Sequence, residues 1–267
     1  MEMSLSSIAK MIGYQWKLPP FQRDFVWNKK SKILNFVDSL YKGWPIGSII
    51  LWKPKEDEMP KEERKFKVKI RQFGPKWFIP LYVLDGQQRL TTIKRIVDNE
   101  PFIFKKYPYI LHYNFKEKAF EFISVGEKKE STVPLGDIFK KDPREIRDEL
   151  DPERNSGFDI GLTISDLQNK IYNRDIRYIH ETSQISKQEA LELFIRMNTG
   201  GKQLKSVDLA LGYLSLVWPD SRNRFKTFKR EISKTGFVFD LHFFIRCLAA
   251  VHLKKSIIKE RVDLFKA

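Results

Sequence analysis

The chain has 267 residues, 42% hydrophobic and 31% charged, a mixture that suits a folded protein and excludes a disordered one. Its single cysteine, Cys247, excludes a disulfide framework and a cysteine-based zinc site, and no apolar run approaches the ~20 residues of a membrane span. Lysine and arginine number 49 against 34 acidic residues, and the net charge of +15 favours a polyanionic partner, although lysine-rich chains also build ion-pair networks.

In chain order, Lys29 to Gly43 reads as a helix, with Ser31 as its N-cap and Ile33, Leu34, Val37, Leu40 and Tyr41 on one face. Trp44-Pro45-Ile46-Gly47 is a turn into a buried strand, Ser48 to Trp52. The charged stretch Lys53 to Arg64, broken by Pro54 and Pro60, reads as an exposed loop. Lys65, Lys67, Lys69 and Arg71 then alternate along a half-buried strand. Its basic outer face suits nucleic acid, and equally suits a solubilised edge. Leu81 to Asp85 is a short buried strand that Gly86 breaks, and Gln87 to Asp98 is a helix with Leu90, Ile93, Ile96 and Val97 inward. Tyr109 to Phe115 and Ala119 to Val125 form a hairpin around Lys116-Glu117-Lys118.

The polar, proline-broken stretch 127–162 reads as a linker or insertion. It divides a core over 1–126 from a helical region over 163–267. In that region Ser165 to Asn173 is a short helix and Ile176 to Ile179 a strand. Ser186-Lys187-Gln188-Glu189 is a capping box, opening a helix to Met197 with Ala190, Leu193, Phe194 and Met197 on one face. Ser206 caps the next helix, which Pro219 stops, and Arg222 to Lys234 and Asp240 to Leu253 are two more.

Three segments hold residues suited to chemistry. In Leu84-Asp85-Gly86-Gln87-Gln88-Arg89 a strand ends in a carboxylate, turns on glycine and opens a helix. A helix N-terminus presents N–H groups and the positive end of a dipole to a phosphate. Arg89 could add a bidentate clamp, and Asp85 could hold Mg²⁺ or position water. The same spacing also allows Asp85 merely to cap the helix and Arg89 to pair with a carboxylate. In Pro19-Pro20-Phe21-Gln22-Arg23-Asp24-Phe25-Val26-Trp27, aromatic rings flank a Gln-Arg pair, which suits base stacking or a packed strap. The third segment, Phe194 to Leu204, ends a helix on Asn198-Thr199-Gly200-Gly201, which fits a plain C-cap or a polar turn donating to a ligand.

Taken together and in order, PPFQRDFVW, GWPIGSIILW, LDGQQRLTTI and FIRMNTGGKQLKSVDLAL resemble the motifs of the GmrSD-type restriction endonuclease N-terminal domain. The resemblance covers about residues 5 to 215. It implies an α+β, ParB/sulfiredoxin-like fold for the N-terminal region, followed by a mainly helical one. It implies nucleotide binding and NTP hydrolysis in defence against modified foreign DNA. Carried over, Asp85, Gln87, Gln88 and Arg89 are the catalytic residues. Gln22, Arg23, Gly86, Arg89, Asn198 and Gly201 bind nucleotide, and Asp85 is the Mg²⁺ ligand. The basic strand, Lys65, Lys67, Lys69 and Arg71, is the candidate DNA-binding face.

Family members work with an HNH-type nuclease domain or subunit. The isolated histidines here, His112, His180, His242 and His252, form no such site, so the nuclease is expected elsewhere. Two rivals stand beside this reading. One is a DNA-sensing module without turnover; the other is a ParB-like nuclease using Asp85 with Asp24. With no signal core in MEMSLSSIAK, the chain reads as a soluble cytoplasmic protein. The preferred nucleotide and the oligomeric state stay open.

Overall fold

The computed structural model describes residues 1–22, 24–58, 66–70, 74–78, 80–153, 159–181, 185–198 and 206–253. The elements begin with β1 (Glu2–Ser4), α1 (Leu5–Met11), β2 (Trp16–Lys17), α2 (Lys30–Tyr41) and β3 (Ile49–Trp52). A hairpin of β4 (Phe66–Ile70) and β5 (Gly74–Phe78) precedes β6 (Leu81–Asp85) and α3 (Gln87–Val97). Then come β7 (Phe102–Phe104), β8 (Tyr107–Asn114), β9 (Ala119–Ser124), β10 (Thr132–Pro134), α4 (Leu135–Lys140), α5 (Pro143–Leu150) and α6 (Ile160–Leu167). A π-turn over Gln168–Tyr172 leads to β11 (Asp175–Glu181), and the chain continues as α7 (Lys187–Asn198), α8 (Ser206–Val217), α9 (Ser221–Ser233) and α10 (Leu241–Leu253). The architecture is mixed α/β.

Two compact units divide the chain. The first takes residues 1–17, 25–51 and 86–180, and the second takes 18–24, 52–85 and 181–267. In the first unit β1, β11 and β3 lie side by side in that order, with β1 antiparallel to β11 and Ser4 opposite Asp175. A second sheet is built on β8. Its partner β9 runs antiparallel along Tyr109–Asn114, while β7 and β10 share the other edge of β8. The amphipathic helix α3 buries Leu90, Ile93, Ile96 and Val97, the four residues its spacing assigns to the core.

Within the stretch 127–162, expected to be a linker or insertion, described residues contribute to this unit's core. β10 pairs with β8, and α4 buries Leu135, Ile138 and Phe139. The Phe139 ring stacks on Tyr172 with centroids 4.9 Å apart, and Ile146 of α5 is fully buried. Asn99, just past α3, fixes the start of α4: its Oδ1 accepts from the Gly136 N–H at 3.1 Å and its Nδ2 donates to Asp137 at 2.6 Å. These elements are too short for their periodicity to register in a proline-broken, polar stretch.

Helix starts differ in two places. Lys29, not Ser31, stands at the N-cap of α2, without a side-chain bond. The helix expected from Ser165 begins at Ile160, because Asp159 caps it by accepting from the Leu162 N–H at 2.8 Å.

In the second unit, Phe21 packs on Phe194 of α7, with ring centroids 5.6 Å apart. Leu191 of α7 lies against Gly212 of α8, and Ala210, Leu211 and Ile245 form a further core with Phe225 and Leu241 around them. The capping box forms as its sequence predicts: Glu189 accepts from the Ser186 N–H at 2.7 Å, and Ser186 Oγ accepts from the Glu189 N–H at 3.2 Å. The buried face of α7 is Ala190, Leu191, Phe194 and Ile195, one position round from the expected Leu193 and Met197. No helix among the described residues is long and apolar enough to cross a membrane.

Candidate functional site

The chain passes from the second unit to the first between Asp85 and Gly86. On the side of the second unit, β6 buries Tyr82, Val83 and Leu84 and ends on a half-buried Asp85. Gln22, only 6% exposed, sends both N–H bonds of its amide to this strand: Nε2 donates to Val83 O and Leu84 O, each at 2.9 Å. An amide nitrogen has two hydrogens, so both are used. The Pro19–Gln22 strap is thereby fixed to the residues that precede Asp85. Asp24 accepts from Lys226 Nζ of α9 at 2.5 Å. At the end of α7, Asn198 Nδ2 donates back to Phe194 O at 2.7 Å, closing the last turn.

On the side of the first unit, Gly86 adopts φ +96°, a conformation that L side chains rarely take. A Cβ there would also lie 3.1 Å from Ile49 Cγ1. Glycine is therefore required both by the backbone and by the close approach of β3. The helix starts at once, with the Leu90 N–H bonded to Gly86 O at 2.9 Å. Gly86 is the N-cap residue and, as glycine, brings no side chain of its own to the helix start. Such an end carries the positive pole of the helix.

The side chains of the motif organise the loops around this turn. Gln88 Oε1 accepts from the Val26 N–H at 2.7 Å, which holds the strap that follows Phe25. Arg89 donates from Nη1 to Ile46 O at 2.6 Å and from Nη2 to Ser48 O at 3.0 Å. Gly47 adopts φ +81°, which favours glycine, and a Cβ there would sit 2.6 Å from Nη1 and push the guanidinium aside. Arg89 thus ties the main chain of this loop. Gln87 is buried beside it.

The aromatic residues around the Gln-Arg pair are engaged in packing. Phe25 lies 6.1 Å from the Phe102 ring with the Arg95 guanidinium 4.7 Å above it, and Trp27 packs edge-on against Phe36 at 5.4 Å. Arg23 and Gly201 lie outside the described residues, as do Lys65 and Arg71 of the basic strand. Lys67 and Lys69 stand in β4, opposite Trp77 and Pro75 of β5.

Among the described residues no three histidine, cysteine, aspartate or glutamate side chains gather into a metal cluster. A single carboxylate such as that of Asp85 fits a Mg²⁺ that arrives with a triphosphate, since magnesium typically takes one or two carboxylates plus phosphate and water oxygens. It does not make an all-protein cage. His112 lies in β8 opposite Glu121, and burial lowers its pKa, favouring the neutral ring.

The sequence marks Arg222 as the start of a helix and gives it no further role. Arg222 is 8% exposed, and its Nε and Nη2 have no hydrogen-bond partner; the fully buried Ser221 Oγ has none either. Nothing in the sequence marks this arginine beyond its place just after Pro219-Asp220, at a helix start.

No curated protein matches the chain. The family model described as the GmrSD restriction endonuclease, N-terminal domain, matches residues 5–215. That span includes the Gln22 strap, the Arg89-tied loop, the Gly86 turn and Asn198, and it stops short of Arg222. The chain belongs to the GmrSD restriction endonuclease N-terminal domain family.

Proposed function

We propose that this protein is the NTP-binding and NTP-hydrolysing regulatory domain of a modification-dependent DNA restriction system, governing an HNH-type nuclease carried by another domain or subunit. The family supports the restriction context, with DNA as the substrate of the system. The observation that carries the nucleotide reading is the glycine turn itself: a left-handed Gly86 between a strand-ending carboxylate and the start of α3. We extend the same reading to the fold, as kin to ParB and sulfiredoxin.

In this reading the first N–H groups of α3 receive the phosphates of a nucleoside triphosphate. Hydrolysis puts a water oxygen on the terminal phosphorus and breaks its bond to the bridging oxygen. Asp85 orients that water or holds Mg²⁺, with Gln87 or Gln88 beside it. A bound Mg²⁺ would neutralise charge building on the phosphate oxygens. Arg89 positions the cradle by holding the 46–48 loop, and Gln22 positions Asp85 through β6. The lysines of β4, with Lys65 and Arg71, meet the DNA backbone, so affinity for DNA should fall steeply as salt rises.

The test is phosphate release from each nucleoside triphosphate with Mg²⁺, with and without DNA, by the parent and by Asp85→Asn. Turnover by the parent that Asp85→Asn loses, with its melting temperature unchanged, supports the reading. An Asp85→Asn protein as active as the parent removes it.

A further inference from the structure

The second unit contains a cation that its own structure does not satisfy. Arg222 sits in the first turn of α9, a 13-residue helix, and is more than nine-tenths buried. Stripping water from a guanidinium costs several kcal/mol unless an acceptor replaces it. Here Nε and Nη2 are both buried and both lack a partner. Those two atoms form one edge of the guanidinium, with parallel N–H bonds that match two oxygens of a single oxyanion.

The groups around Arg222 do not fill that edge. Asp24 and Asp208 attract it electrostatically, yet neither forms a hydrogen bond to the buried atoms. The Asp24 carboxylate is already paired with Lys226, one turn along α9. Asp220, at the N-cap, makes no side-chain bond to the helix N–H groups; its carboxylate instead faces Arg224 at 3.4 Å. The neighbouring Ser221 Oγ is a second buried group without a partner. A helix start, a guanidinium edge without an acceptor and a hydroxyl without a partner therefore occur within three consecutive residues.

We propose that the first turn of α9 is an anion site, with Arg222 as its binding residue and a phosphate group as its ligand. A phosphate presents two oxygens to the fork and has further oxygens for a hydroxyl or helix N–H. The site is distinct in sequence from the Asp85–Arg89 turn, and it stands whether or not that turn binds a nucleotide. The phosphate could be carried by a free phosphate, a nucleotide or a DNA backbone.

The test is the thermal melting of the full 267-residue chain at constant ionic strength. Inorganic phosphate, pyrophosphate, ATP, a short DNA duplex and acetate are the probes, and the parent is compared with Arg222→Met and Arg222→Lys. Removing an unpaired buried charge should leave Arg222→Met at least as stable as the parent without ligand. The parent should melt higher with at least one phosphate probe and not with acetate. Arg222→Met should lose that response, and Arg222→Lys should need at least tenfold more ligand. A response to phosphate, pyrophosphate or ATP indicates a compact phosphate, and a response to DNA alone indicates a backbone phosphate; either supports the site. Three results overturn it: Arg222→Met less stable than the parent, Arg222→Met still responding, or a parent that responds to no phosphate probe or equally to acetate. Loss of hydrolysis in Asp85→Asn with an intact Arg222-dependent shift separates this site from the nucleotide reading.

Discussion

Arg89 and Arg222 belong to different units, and their guanidinium groups are used in opposite ways. Arg89 stands in the most conspicuous motif of the sequence, and both of its terminal nitrogens are bonded to main-chain carbonyls of the 46–48 loop. Arg222 stands in no motif, and two of its nitrogens are buried without an acceptor. The difference shows that an arginine in a motif can be there to shape a loop. The better sign of a ligand is donor capacity that the folded chain leaves unused.

The comparison breaks most readily at Arg89. Each charge-assisted bond to a carbonyl is worth about 1.5–3 kcal/mol, so loss of the two in Arg89→Ala should destabilise the first unit by about 3–6 kcal/mol in denaturant unfolding. It should also abolish nucleotide binding, because the loop beside the glycine turn is released. Arg222→Met should have the opposite sign on stability. If Arg89→Ala unfolds at the parent's denaturant midpoint, the loop-tying role fails and a purely ligand-facing role takes its place.

A smaller effect sharpens the account of the turn. Gly86→Ala forces a Cβ into a left-handed conformation 3.1 Å from Ile49. The expected cost is about 1–2 kcal/mol, with a larger proportional loss of NTP turnover than of stability. Turnover that merely tracks the folded fraction would make Gly86 a structural glycine only. Ser186→Ala is the control in the other unit. It removes one cap of α7 and should cost about 1 kcal/mol while leaving nucleotide binding intact.

The smallest expected effect is a pH dependence at His112. Burial lowers its pKa in the fold relative to the unfolded chain. The unfolded state therefore binds more protons as pH falls below the ordinary histidine value near 6.5, and stability is lost there and retained above it. Urea midpoints measured from pH 7.5 to 5.5 should fall on the acid side, and His112→Gln should flatten that fall. A parent whose midpoint is level across this window contradicts the assignment.

Much of this molecule is legible in its sequence where a strong periodicity meets a strong stop signal. β6, Gly86 and α3 follow from an apolar run, a glycine and a four-residue apolar face. The β8–β9 hairpin and the Ser186–Glu189 capping box follow in the same way. What fails to show is anything decided by distant partners. The 127–162 stretch looks like a linker because its apolar residues come in short pieces, and only Asn99, β8 and Tyr172 make them a core. Gln22 reads as a ligand residue, and that its Nε2 holds Val83 and Leu84 is visible only in the fold. Arg222 carries no sequence signal, since burial and an empty fork are properties of the fold alone.

The most direct measurement is steady-state phosphate release by the purified 267-residue chain with Mg²⁺ and each nucleoside triphosphate, for the parent and for Asp85→Asn. The account predicts turnover by the parent with at least one nucleotide, and a fall of at least 100-fold in kcat for Asp85→Asn at an unchanged melting temperature. No release with any nucleotide, in the presence or absence of DNA, or undiminished release by Asp85→Asn, would contradict it.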